Sequence, residues 1–252
     1  NIGLLVTNNP SEAVRAGGTQ TPTGEIENAA MIVDNGLVAW VGRAVDAETG
    51  GGFDIDAVVN LHGNTLIPGF VDSHSHIVFA GDRAGEFAAR MGGKSYAAGG
   101  IRSTVAATRE ASDDELRERL HALLNEMHSQ GTTTVEIKSG YGLDVVTEER
   151  LVRLAREVTE EVTFLGAHVV PAEFKDNRED YVQLVISEML EKCAPHAKWI
   201  DVFCEEGAFT VEESRRILNA GKEAGLLPRV HASQLGPGEG IALAIEVGAA
   251  SV

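Results

Sequence analysis

From residue 66 onward, short apolar runs alternate with amphipathic stretches, and that alternation confines the fold to a parallel sheet covered by helices. Candidate strands fall at 66–74, 132–137, 162–168, 199–204 and 227–231, with another beginning at 249–252. Ser112-Asp113-Asp114-Glu115 has the form of a capping box, and Leu116, Leu120, Leu123 and Met127 follow at helical spacing. Thr210-Val211-Glu212-Glu213 opens a second helix in the same way. Leu151, Leu154 and Val158 mark a third, and Tyr181, Leu184, Val185 and Met189 a fourth. A βαβ unit takes about 30 residues and a closed eight-unit barrel about 250. A stretch that begins at residue 66 is too short to close one. Either the sheet is open or the chain stops before closure. Gly248-Ala249-Ala250-Ser251-Val252, which reads as a strand cut off as it starts, favours an incomplete barrel.

Residues 1–67 have another texture. Apolar runs at Ile2–Val6, 30–33, 37–41 and 58–61 are punctuated by Gly17-Gly18, Asn35-Gly36 and Gly50-Gly51-Gly52. Asn35-Gly36 between two such runs predicts a hairpin, because a type I′ turn needs positive φ at both central residues. The reading is a small antiparallel β domain over 1–67, then the barrel part over 68–252. Apolar residues at 43% suffice for a sizeable core, which excludes wholesale disorder. A formal net charge of −17 with no Lys/Arg-rich run argues against nucleic acid or an anionic membrane as partner. No stretch approaches the roughly 18 apolar residues of a membrane span. The start lacks the basic and long apolar segments of a signal peptide, and the missing initiator Met suggests that leading residues are lost. Cys193 and Cys204 lack CxxC spacing and read as buried thiols in a reducing cytoplasm.

The strongest chemical signal is Pro68-Gly69-Phe70-Val71-Asp72-Ser73-His74-Ser75-His76. Residues i and i+2 of a strand share a face, so His74 and His76 present two imidazoles on one side, able to hold a divalent metal. Active sites of β/α barrels lie at the C-terminal strand ends, where His231 and His168 also fall. A satisfied polar residue at the rim is the alternative for either one alone. Arg83 and Arg90 sit in a long loop, running to about Gly100, that follows the first barrel strand. An Arg matches a carboxylate bidentately, and a surface ion pair is the competing reading. Ser139-Gly140-Tyr141-Gly142-Leu143 directly follows the second strand, and its glycines permit a tight turn that holds the phenol over the mouth. An ordinary turn with an exposed Tyr remains the alternative. His121 and His128 read as a solvated helix face.

These residues resemble the amidohydrolase superfamily and, within it, the imidazolonepropionase family. The resemblance is carried by the His74-Ser75-His76 segment, Gly81-Asp82-Arg83, Gly99-Gly100-Ile101-Arg102-Ser103-Thr104-Val105, the run from Thr132 to Leu143, and Gly166-Ala167-His168. It implies a (β/α)8 barrel of the amidohydrolase type, incomplete in this chain, with a small N-terminal β-sandwich domain. It implies one zinc or iron ion on His74, His76 and His231, and substrate contacts from Arg83, Tyr141 and His168, with Tyr96 near a substrate carboxylate. Gln234 stands where some relatives carry a Glu, and an amide is no general base. Lys138 ends a strand, as the carboxylated lysine of dinuclear relatives does, but the imidazolonepropionase pattern does not use it so and it reads as structural. The resemblance places a further catalytic His and a last metal-binding Asp beyond Val252, so no catalytic residue is assigned within the chain.

The activity so implied is hydrolysis of the cyclic amide of 4-imidazolone-5-propanoate, a small-molecule substrate of histidine degradation, by a cytoplasmic homodimer. The alternatives are another cyclic amidohydrolase or deaminase of the superfamily, or a catalytically incomplete metal-binding fragment.

Overall fold

The computed structural model describes residues 1–47, 52–82, 84–92 and 101–252, without the side chains at 85, 86, 89 and 90. The chain divides into two compact units, Asn1–Phe70 and Val71–Val252.

The first unit holds strands β1 (Ile2–Val6), β2 (Glu25–Asp34), β3 (Leu37–Arg43) and β4 (Thr65–Leu66) in the sheet order β3-β2-β1-β4, with helix α1 (Pro10–Arg15) after β1. Asn9 caps α1 by accepting the Glu12 amide. Asn35 and Gly36 join β2 to β3 with φ of 50° and 78°, both in the left-handed region that the Asn-Gly pair tolerates. Ile2, Leu5, Ala13, Ile26 and Ala29 form a small core. The expected antiparallel sheet is corrected here, because β4 pairs parallel to β1. The apolar run at 58–61 forms no strand. His62 and Gly63 turn the chain with φ of 54° and 79°, so pairing starts only afterwards, at Thr65.

The second unit is built on a five-stranded sheet in the order β5 (Phe70–Ser75), β6 (Thr132–Lys138), β7 (Val162–Ala167), β8 (Trp199–Val202), β9 (Leu227–Pro228). The β6–β7, β7–β8 and β8–β9 pairs are parallel. Pro68 and Gly69 split the expected 66–74 strand, because proline has no N–H for a ladder; its first part pairs as β4 and its second as β5. At 249–252 no strand forms, although Ala250 N–H donates to the Pro228 carbonyl and Val230 N–H to that of Ser251. The sequential order follows from the helices between successive strands. They are α2 (Ala84–Met91), α3 (Ile101–Glu110), α4 (Asp113–Ser129), α5 (Val145–Arg156), α6 (Arg178–Leu184), α7 (Leu190–Cys193) and α8 (Val211–Glu223); α9 (Gly240–Val247) follows β9. A π-helical turn, Val185–Met189, makes α6 and α7 continuous. Helix α2 interrupts what the sequence suggested was one long loop; it starts where Asp82 accepts the Ala84 amide, in an Ala-rich stretch that favours helix.

Every residue of β7 and β8 is buried, as expected for strands covered on both faces. Leu116, Leu120 and Leu124 of α4 pack into this core with Leu151 and Leu154 of α5, Ile217 and Leu218 of α8, and Phe164 and Ile200 of the sheet. Both predicted capping boxes form, at Ser112–Glu115 and Thr210–Glu213. Leu123 is only half-buried; the core position one residue on belongs to Leu124. Leu120→Ala is therefore expected to cost about 3 kcal/mol in urea unfolding, and Leu123→Ala clearly less.

Candidate metal centre

His74 lies within β5 and His76 one residue past its end, so strand alternation turns both rings to the same side. Ser75 between them donates its hydroxyl to the Glu136 carbonyl at 2.7 Å, tying this strand end to β6. His231 follows β9, and its residue forms a bridge with Phe203 just after β8. The three rings converge. One nitrogen from each of His74, His76 and His231 lies within 4.8 Å of the others, and Nε2 of His231 is 3.2 Å from Nε2 of His74.

In two of the rings the far nitrogen is held by a group that only accepts hydrogen bonds. His76 Nδ1 faces the Ser139 carbonyl at 3.0 Å, and His231 Nδ1 faces Asp201 Oδ2 at 2.9 Å. Nδ1 therefore carries the hydrogen in both rings, which leaves each Nε2 lone pair free. Burial, then the neighbouring His231 and Lys138, lowers the His74 pKa to about 4. Burial and the adjacent His168 hold His76 well below the ordinary imidazole range. Both rings are neutral at pH 7, the form that ligates. Three converging imidazoles, two of them with the far nitrogen anchored, fit a zinc or iron ion.

His168 and Tyr141 flank the triad. The His168 ring stacks on His76 with centroids 5.2 Å apart, and the Tyr141 ring lies 5.3 Å from His76 and 5.6 Å from His168. Burial lowers the His168 pKa to about 4 against the opposing effect of its 2.9 Å contact with the Gly140 carbonyl. Gln234 lines the same cleft as His74 and His231, and its main-chain N–H donates to Glu205. Arg83 and Tyr96 lie outside the described residues, and Arg90 falls on α2.

Two carboxylates that sequence reading missed organise this end of the sheet. Buried Glu148, in the first turn of α5, accepts main-chain N–H groups from Gly140, Gly142 and Leu143 and so fixes the Ser139–Leu143 turn. Gly140 is required there: at φ 106° a Cβ would come within 2.9 Å of His168 Nδ1 and 3.0 Å of the Leu165 carbonyl. Burial raises the Glu148 pKa in spite of those hydrogen bonds. The second is Asp201, a lone acid within the apolar strand β8. Burial alone would raise its pKa, but the His231 hydrogen bond and the Lys138 ammonium prevail and hold it well below the carboxylate range. The structural reading of Lys138 gains its content here: Nζ lies 2.7 Å from Glu136 and 2.9 Å from Asp201. Asp201 sits in an otherwise apolar run, its only local signal, whereas Glu148 in Thr147-Glu148-Glu149-Arg150 looks like any acid of a helix's first turn.

No family model matches the chain. Over its whole length it is 56% identical to a protein named imidazolonepropionase from Salinispora arenicola. It is 54% identical to one from Mycolicibacterium smegmatis and 53% identical to one from Streptomyces avermitilis. The chain is homologous to imidazolonepropionases. It spans 61% of the length of each of these three relatives. The resemblance seen in the imidazolonepropionase motifs thus extends to all 252 residues.

Replacing Glu148 by Ala strands three buried N–H groups and is expected to cost more than about 3 kcal/mol. Glu148→Gln keeps one acceptor oxygen and is expected to cost less. Urea unfolding of both variants checks the order.

Proposed function

We propose that this chain is the metal-holding part of a hydrolase that opens the cyclic amide of 4-imidazolone-5-propanoate to N-formimidoyl-L-glutamate, a step of histidine degradation. The supporting observation is identity of 51–56% along the whole chain to proteins named imidazolonepropionase. The converging imidazoles agree with it. In this reading the sequential sheet is the wall of a (β/α)8 barrel, with its first five to six β/α units over 68–252. The sheet within 1–67 is part of a composite β-sandwich.

His74, His76 and His231 would hold one zinc or iron ion. A cation bound there supplies Lewis acidity toward water and the ring carbonyl. The chain's own residues do the rest of the positioning. Tyr141 and His168, fixed by the Glu148-supported turn and the Gly140 carbonyl, form the wall against which the planar ring lies. Neutral His168 accepts a hydrogen bond at Nε2, since its Nδ1 donates to the Gly140 carbonyl. Arg83 and Tyr96 bind the propionate tail, which orients the ring and leaves the bond-breaking itself unchanged. Gln234 contacts substrate as a hydrogen-bonding amide with no basic role. The protein works as a homodimer in the cytoplasm; among the described residues no helix is long and apolar enough to cross a membrane.

Assay of the intact protein on 4-imidazolone-5-propanoate, hydantoin and an aminopyrimidine tests this. The expected result is turnover of the imidazolone alone, lost on chelation, restored by zinc or iron, and lowered at least about 1,000-fold by His231→Ala. Turnover of either other ring in preference, or none with metal restored, contradicts it.

A further inference from the structure

Asp201 has no free acceptor oxygen. Its Oδ1 takes the Val202 main-chain N–H at 2.8 Å, and its Oδ2 takes both Lys138 Nζ and His231 Nδ1 at 2.9 Å. Its side chain is 1% exposed. Lys138 is pinned on its other side by Glu136, whose Oε1 also receives Arg229 Nη1 at 3.1 Å and the Thr163 hydroxyl. The Arg229 guanidinium lies 4.0 Å over the Trp199 ring. Two acidic and two basic side chains thus pair within the sheet, drawn from β6, β8 and the residue after β9.

A balanced buried set is costly to desolvate, and packing alone does not call for one. It has one outlet. Of its members, Asp201 is the one that hydrogen-bonds a residue of the imidazole triad. We propose that the Glu136–Lys138–Asp201 chain is a positioning device for His231: Asp201 fixes the ring's tautomer and orientation, and Lys138 fixes Asp201. A carboxylate only accepts, so the hydrogen of His231 stays on Nδ1 and the Nε2 lone pair is delivered into the triad. Lys138 Nζ is held between Glu136 and Asp201, and its part is to hold the oxygen that His231 uses. The amide of Asp201→Asn cannot reproduce this, because every partner of Asp201 is a donor and one would meet an NH2.

The inference rests on the metal-binding part of the function proposed above, and two readouts separate the two. The first is the ring 15N chemical shifts of His231 in the metal-free intact protein. The second is zinc affinity, measured by competition with a chromophoric chelator in wild type, Asp201→Asn, Asp201→Ala and Lys138→Met. The expected result is Nδ1–H in the wild type, a shift of the hydrogen toward Nε2 in Asp201→Ala, and zinc binding weakened about 10- to 100-fold in both Asp201 variants. Lys138→Met is expected to weaken it by a smaller factor. Should Asp201→Ala not fold, the wild-type tautomer and the isosteric Asp201→Asn decide. Nε2–H in the wild type, or zinc affinity within twofold of wild type in folded Asp201→Asn, overturns the inference alone. Failure of the wild type to bind zinc overturns the metal reading and this inference with it.

Discussion

Two imidazole nitrogens 3.2 Å apart, as in His74 and His231, can have at most one hydrogen between them. A cation can take the place of that hydrogen only if both rings are neutral and their own hydrogens point outward. Everything around the triad serves that condition. The far nitrogens of His76 and His231 meet a carbonyl and a carboxylate, and burial holds His74 and His76 uncharged. The Nε2 lone pairs of His76 and His231 are left free beside His74, a constellation that gains most from a cation.

The sheet carries the order needed to keep those rings in place. Ser75 ties β5 to β6, while Ser139 donates its N–H to the Thr163 carbonyl and takes the Leu165 N–H on its hydroxyl, tying β6 to β7. The polar side chains that leave these strands toward the interior meet ion pairs instead of water. Such a core is less stable than an apolar one of equal volume. Its tolerance here follows from the saturation of Asp201 and from the main-chain donors that Glu148 gathers.

Much of the site was legible because strand geometry has a short period. The His74-Ser75-His76 spacing reports a shared face, and His231 and His168 close apolar runs as strand-end residues do. The hairpin at Asn35-Gly36 was legible for a similar reason, since its chemistry lies within two adjacent residues. Asp201 and Glu136 were not, because their partners lie as far as 63 positions away and a single acid in an apolar run has no period. The apolar run at 58–61 misled because nothing in it encodes the left-handed turn at His62 and Gly63 that delays pairing to Thr65. The split of 66–74 was written plainly in Pro68, but the apolar residues on either side concealed it.

The most direct test of the triad is an anomalous-scattering map of the crystallised protein, collected on both sides of the zinc and iron absorption edges. The expected result is a single peak about 2.0–2.2 Å from Nε2 of each of His74, His76 and His231. A metal bound elsewhere, or rings at 74, 76 and 231 that diverge with no peak between them, would contradict it.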